Sequence, residues 1–326
     1  MKYGPLGRSG LMVSRLCLGG NSWGAKGRRG WGAFDVEESR PFFRKALDLG
    51  INFFDTADAY NAGRSEEIIG ETLMKLVPRD DLVISTKTGL KMGDEPNEIG
   101  LGRKHLMSAV DAQLKRLRTD YIDVYQVHRL DPHTPLEEVM YSLDQLVRSG
   151  KVRYIGGSTM PAFKFAQMLM LADWKGYARP VCMQNLYNLI QREEEPEMNR
   201  LCHEQGVGLI PYSPLARGFL AANRMREGGG ATERSKNDQV VKPGTYRDCD
   251  WRIAEQLRKI AAARGATPAQ IAFAWLLSKP YMAAPIMGAT SLDQLESAAK
   301  AADITLTSEE ITALEKPYEP RVSPAT

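Results

Sequence analysis

The chain has 326 residues, 43% of them hydrophobic and 25% charged, with a formal net charge of +3. These proportions exclude a disordered or fibrous chain and allow one large domain or two ordinary ones, each with a sizeable core. Basic residues are scattered rather than clustered, and no stretch reaches the roughly 20 apolar residues of a spanning helix. Neither nucleic acid nor a membrane is therefore expected as a partner.

The opening MKYGPLGRSG is polar and lacks the apolar segment of a secretory leader, so a cytoplasmic location is expected. Its GRSG turn, flanked by short apolar stretches within residues 1–14, predicts a β-hairpin. Eight strand-like runs follow: RLCLG (15–19), INFF (51–54), LVIST (82–86), YIDVYQV (121–127), VRYIG (152–156), VCMQ (181–184), VGLIP (207–211) and AAPIM (283–287). Most show little polar alternation, as strands covered on both faces do.

Amphipathic helices lie between them. Leu106, Val110, Leu114 and Leu117 recur at helical spacing, as do Leu136, Val139, Leu143, Leu146 and Val147. Ser65 is the expected cap of the helix carrying Glu66 and Glu67, and Gly50 and Gly150 are expected just beyond two helix ends. Residues 217–250 interrupt the rhythm with a long polar stretch, which in a folded domain suggests a lid or binding loop. The expected fold class is α/β: one domain over 1–326, a (β/α)8 TIM barrel with an N-terminal hairpin and a long loop after strand seven.

Four cysteines, Cys17, Cys182, Cys202 and Cys249, stand far apart, as reduced thiols do. The four histidines show no metal-ligand spacing, and no metal is expected.

Barrels of this kind build their sites at the C-terminal ends of the strands. Asp55 and Tyr60 stand there after strand two, Lys87 after strand three and His128 at the end of strand four. Ser158 and Thr159 follow strand five, Gln184 and Asn185 end strand six, and Tyr212 and Ser213 follow strand seven. A phenol beside an ammonium held by a carboxylate suits proton transfer to a carbonyl oxygen, since a neighbouring cation stabilises the phenolate. The set contains no activated Ser or Cys and no pair of catalytic carboxylates. The bond-forming partner must come from outside, and hydride from a nicotinamide fits.

At this point the sequence resembles the aldo-keto reductases along nearly its whole length. INFFDTADAY with GRSEEIIG, then ISTK, DVYQVH, QNLYNLI, IPYSPLARGFL and IMGAT occur in that family's order. The resemblance implies Asp55, Tyr60, Lys87 and His128 as the catalytic tetrad, Tyr60 being the general acid, and NADPH/NADP+ as the cofactor. It also implies a small-molecule aldehyde or ketone as substrate. Ser158, Thr159 and Gln184 match positions that hold the nicotinamide carboxamide, and Tyr212 the ring that stacks on it. Ser213, Leu215 and Gly218 match the pyrophosphate loop. Gly288, Thr290 and Gln294 belong to the adenosine segment. There the family's Arg, Glu and Asn are replaced by Ser291, Ser297 and Ala298, so Arg217, Arg224, Arg226, Arg234 and Lys236 of the long insertion are candidates to meet a 2′-phosphate. Trp23, Trp31, Met92 and Leu130 are the expected substrate lining. The chain also resembles the potassium-channel β subunits, which leaves a nucleotide-sensing regulatory subunit as the alternative function.

Overall fold

The computed structural model describes residues 1–24, 34–230, 232, 235, 236, 238, 241, 242 and 244–321. Eight parallel strands form one sheet: β3 (Cys17–Gly19), β4 (Phe53–Asp55), β5 (Val83–Thr88), β6 (Ile122–Val127), β7 (Val152–Ser158), β8 (Pro180–Gln184), β9 (Gly208–Leu209) and β10 (Ile286–Met287). The order β10-β3-β4-β5-β6-β7-β8-β9 runs round the sheet in sequence. Closure comes from the loop backbone next to the last two strands. Leu209 N–H donates to the Tyr281 carbonyl (2.9 Å), Ala283 N–H to that of Leu209 (2.9 Å), and Ile286 N–H to that of Pro211 (2.9 Å). The result is a (β/α)8 barrel.

All eight expected strands are present, but β9 and β10 are two residues each. Pro211 and Pro285 sit in the two expected runs and bring no N–H to a ladder, which cuts both strands short.

The hairpin β1 (Tyr3–Pro5) and β2 (Met12–Ser14) pairs antiparallel and plugs the N-terminal end of the barrel. Leu6 and Val13, both fully buried, join the interior cluster of Cys17, Phe53, Val83, Val124, Cys182 and Ile210. Burying side chains of this size contributes roughly 1.5–3 kcal/mol each. The turn fits because Gly7 adopts φ +60° and a Cβ there would come within 2.8 Å of the backbone at Val181, Gly206 and Gly208.

Outside the sheet, helices α1 (Val36–Asp48), α2 (Arg64–Glu71), α3 (Arg103–Leu117), α4 (Leu136–Arg148), α5 (Ala162–Lys175) and α6 (Arg200–Gln205) follow the strands in turn. Residues Asp248–Ala263, Pro268–Leu277, Leu292–Lys300 and Ser308–Glu315 form α7 to α10. The apolar stripes of α3 and α4 face the sheet, with Leu106, Val110, Leu117, Val139, Leu143 and Leu146 all buried. Gly50 and Gly150 take φ +77° just past α1 and α4, as expected of helix-terminating glycines.

Ser65 is not a helix cap. Gly63 occupies that position of α2 with φ +86°, and Ser65 is buried, its hydroxyl donating to the Gly20 carbonyl and touching Thr56 Oγ1. Glu66 is likewise fully buried and paired with Arg116 at 2.7 Å instead of lying on a solvated first turn. All four cysteines are free and buried. Among the described residues no helix is long and apolar enough to cross a membrane, and no cluster of His, Cys, Asp or Glu has metal-binding geometry.

Candidate active site

The barrel interior changes character along its axis. Alternation puts Phe53, Val83 and Val124 inside near the hairpin, and one repeat further on it puts Asp55, Ser85 and Gln126 inside. Those polar residues form a bonded layer. Gln126 Nε2 donates to Ser85 Oγ (2.6 Å) and Asp55 Oδ1 (3.2 Å), and Gln184 Nε2 to Asp55 Oδ1 (3.0 Å). Gly156 makes room: a Cβ there would meet Cys182 Sγ at 2.4 Å and crowd Gln126.

Lys87 lies one step further along β5, fully buried. Its Nζ donates to Asp55 Oδ2 (2.6 Å) and to the Thr56 carbonyl (2.6 Å), and its third N–H faces Tyr60 Oη at 3.4 Å. Burial by itself would lower the ammonium's pKa, but the Asp55 carboxylate and the Tyr60 oxygen outweigh it and hold it above the ordinary lysine value. All three ammonium protons are thus aimed at named oxygens, and the phenol receives the longest of the three contacts.

Tyr60 reaches that point through a strained turn. Thr56 and Asp58 N–H groups tie the loop to the carbonyls of Ser85 and Lys87, and Asn61, Ala62 and Gly63 then take φ +51°, +53° and +86° in succession. Left-handed backbone costs a non-glycine residue about 1–2 kcal/mol, and it persists where surrounding bonds over-determine it. One such bond runs from Asn61 Nδ2 to the Trp23 carbonyl.

His128 sets its ring edge-on to Tyr60, centroids 5.8 Å apart. Burial, with Lys87 and Arg129 adding to it, pushes the imidazole down to about 3, so the ring is neutral at working pH. Its Nδ1 is buried without a partner among the described residues.

The remaining expected residues are placed less uniformly. Ser158 is buried at the end of β7, with Arg129 Nη1 at 3.4 Å from its hydroxyl, and Thr159 takes φ +41°. Gln184 is committed to Asp55, so its amide nitrogen is not a free hand for a carboxamide. Tyr212 is half-buried beside the mouth. Ser213, Ala216, Arg217 and Gly218 all take positive φ, a tight left-handed kink next to Leu215. Thr290 donates through its N–H (2.9 Å) and its hydroxyl (3.2 Å) to Gln294 Oε1, next to exposed Gly288. Ser291 caps α9 instead of facing a ligand.

Two expectations need correction. Trp23 is 2% exposed and packs edge-on against Phe43 with centroids 4.4 Å apart, so it is core and has almost no surface to offer a substrate. Arg224 is buried too, donating to the carbonyls of Arg217 and Ser235 and paired with Asp238 at 2.9 Å, and Arg217 pairs with the same carboxylate. Its charge is spent on holding the loop together. Arg226 pairs with Asp248 while both remain exposed. Trp31 and Arg234 lie outside the described residues. Met92 and Leu130 are half-buried near the rim.

Sequence reasoning missed Gln126, which the inward parity of Gln126 and His128 in DVYQVH would have found. It also missed Asp58, 1% exposed in the loop between Asp55 and Tyr60. Asp58 accepts from the Thr88 hydroxyl (2.6 Å) and Ala59 N–H (2.6 Å). Burial, opposed by those bonds and reinforced by Glu66, pushes its carboxyl up to about 7. A raised folded-state value means that the folded protein holds this proton more tightly than the unfolded chain. That stabilisation is complete below the ordinary carboxylate pKa and is lost as pH rises through about 7. Asp58→Asn, which keeps the shape and lets Thr88 accept instead, is therefore expected to flatten the fall in thermal midpoint between about pH 4 and 7. An identical pH slope in both proteins would remove Asp58 as its source.

An apolar floor with a cluster of titratable side chains at the C-terminal mouth is the layout of a barrel enzyme. Residues 15–319 match the Aldo/keto reductase family, and the chain belongs to that family and is an oxidoreductase. It is 41% identical to a versiconal hemiacetal acetate reductase of Aspergillus parasiticus, with 98% of each chain covered. It is 40% identical to a putative aryl-alcohol dehydrogenase of Schizosaccharomyces pombe (98% and 96% covered) and to an aldo-keto reductase of Metarhizium robertsii (98% and 91%). The family acts on small-molecule carbonyl compounds and generally uses NAD(P)H.

Proposed function

We propose that the protein reduces an aldehyde or ketone to the alcohol at the expense of NADPH, with Tyr60 as the proton donor. The observation that carries this reading is the third N–H of Lys87, aimed at Tyr60 Oη from an ammonium otherwise clamped by Asp55 and Thr56. When bound, the cofactor supplies hydride to the carbonyl carbon. The chain's own residues handle the proton. The neutral His128 imidazole donates a hydrogen bond to the carbonyl oxygen and orients it, and Tyr60 Oη gives its proton to that oxygen as charge develops there. The resulting phenolate is stabilised by Lys87, whose 3.4 Å contact shortens as the oxygen becomes charged. Asp55 accepts from three donors and keeps Lys87 in place. Solvent then restores the phenolic proton. Residues 1–326 act as one catalytic unit in this reading.

Several residues fit the cofactor. Tyr212 has a half-exposed ring at the mouth, Ser158 a hydroxyl at the rim, and the left-handed kink over 213–218 turns backbone toward the same end, the kind of nest that meets phosphate oxygens. Among the described cations of the loop, Arg226 keeps a side chain 57% exposed and shares a shallow depression with Lys242, Tyr246 and Trp251. Arg226→Gln is expected to weaken NADPH binding by about tenfold while changing NADH binding little, the scale of one charge-assisted contact to a phosphate. Fluorescence titration with both cofactors measures it, and equal effects on the two would take the 2′-phosphate away from Arg226. Turnover of 4-nitrobenzaldehyde with NADPH tests the reduction itself. No turnover with either cofactor would favour a nucleotide-binding regulatory role instead.

A further inference from the structure

Arg129 follows His128 at the rim, half-buried, between the ends of β5, β6 and β7. Its Nη1 donates to the His128 carbonyl (2.6 Å) and lies 3.4 Å from Ser158 Oγ. Those contacts use one nitrogen of a group with five N–H donors. Nε and Nη2 have no protein acceptor, and no carboxylate lies within ion-pair distance among the described residues. The nearest acid along the chain, Asp131, accepts from the backbone N–H groups of Leu101, His133 and Thr134.

The charges at the mouth therefore do not balance. Lys87 is matched by Asp55, His128 is neutral, and Arg129 stands beside them close enough to help push the imidazole down. A half-buried guanidinium with three spare donors favours an anion, and a planar two-oxygen one best, because its fork matches a carboxylate. The cofactor's reacting ring supplies no such charge, being neutral when reduced and cationic when oxidised. With the cofactor's phosphates assigned to the 213–218 kink in the reading above, the match comes from the other molecule in the mouth. We infer that Arg129 is a specificity-determining residue and that the preferred substrates are carbonyl compounds bearing a carboxylate or an equivalent acidic group. The inference rests on the reduction reading above and deepens it.

The test compares 3- and 4-carboxybenzaldehyde with their methyl esters, which carry the same aldehyde without the charge. The native protein is expected to favour at least one acid over its ester by about tenfold in kcat/KM, the scale of a charge-assisted contact. Arg129→Leu should bring that ratio to near one, Arg129→Lys should restore part of it, and NADPH affinity should stay within about twofold in both. Equal use of acid and ester by the native protein overturns the inference. So does an equal loss on both substrates in Arg129→Leu, or a matching loss of NADPH affinity, which would place the guanidinium on the cofactor. Fluorescence titration of the cofactor-loaded protein with terephthalate and with dimethyl terephthalate gives the same comparison without turnover. Failure of ester reduction would then count against the reductase reading, and failure to distinguish the two terephthalates against Arg129.

Discussion

Tyr60→Phe is expected to lower kcat for carbonyl reduction by roughly a thousandfold, within the 10²–10⁴ range that a positioned general acid contributes. The substitution removes one oxygen and keeps the ring, so the edge-on contact with His128 and the position of Lys87 Nζ 4.8 Å from the ring centroid survive. Thermal stability and NADPH affinity should accordingly change little. His128 offers no substitute donor of charge, because an imidazole pushed down to about 3 is already neutral and surrenders a proton only from a neutral N–H. Steady-state turnover of 4-nitrobenzaldehyde, beside a fluorescence titration of NADPH, reads both quantities. More than about a tenth of native kcat in Tyr60→Phe, well outside that range, would mean that another group delivers the proton.

The order of strands was readable because a strand covered on both faces must be apolar throughout, and few other segments are. What interrupts a strand is less visible. Pro211 and Pro285 sit inside apolar runs that look continuous, and only the missing N–H reveals that the barrel closes there through loop backbone. Ser65 shows the same limit at a helix start. Its type and spacing suit a cap, yet a left-handed Gly63 takes that place and frees the hydroxyl to tie Gly20 to Thr56.

For the site, the rule that barrel strands end in functional side chains pointed to Asp55, Lys87 and His128, which the barrel brings together around Tyr60. It says nothing about partners. Arg224 reads as a free loop cation until Asp238, fourteen residues on, is seen beside it, and Trp23 reads as a pocket wall until Phe43 of α1 covers it. Gln126 and Asp58 carry no motif. They become legible only through strand parity and burial, which are properties of the barrel rather than of any short stretch.

Lys87→Met should cost stability and activity together, and a second substitution should separate them. Removing the ammonium leaves Asp55 buried, with only the Gln126 and Gln184 amides on Oδ1. Breaking a buried pair in this way destabilises by about 3–5 kcal/mol, because the remaining charge has lost its compensation. The carboxyl should then bind its proton more tightly than before. The sign follows: the variant is nearest to native stability at low pH and falls further behind as pH rises and Asp55 is forced to ionise. Asp55→Asn added to Lys87→Met removes that charge and should recover much of the lost stability and its pH dependence. Turnover should not recover, since the phenol still lacks the neighbouring cation that makes its proton available, and any residual rate should respond to pH differently from the native enzyme. Thermal unfolding across pH 5 to 8 and the pH–rate profile together resolve the two effects. If the double variant regained both stability and turnover, Lys87 would be a structural counter-ion for Asp55, and the link from its third N–H to the proton on Tyr60 would be wrong.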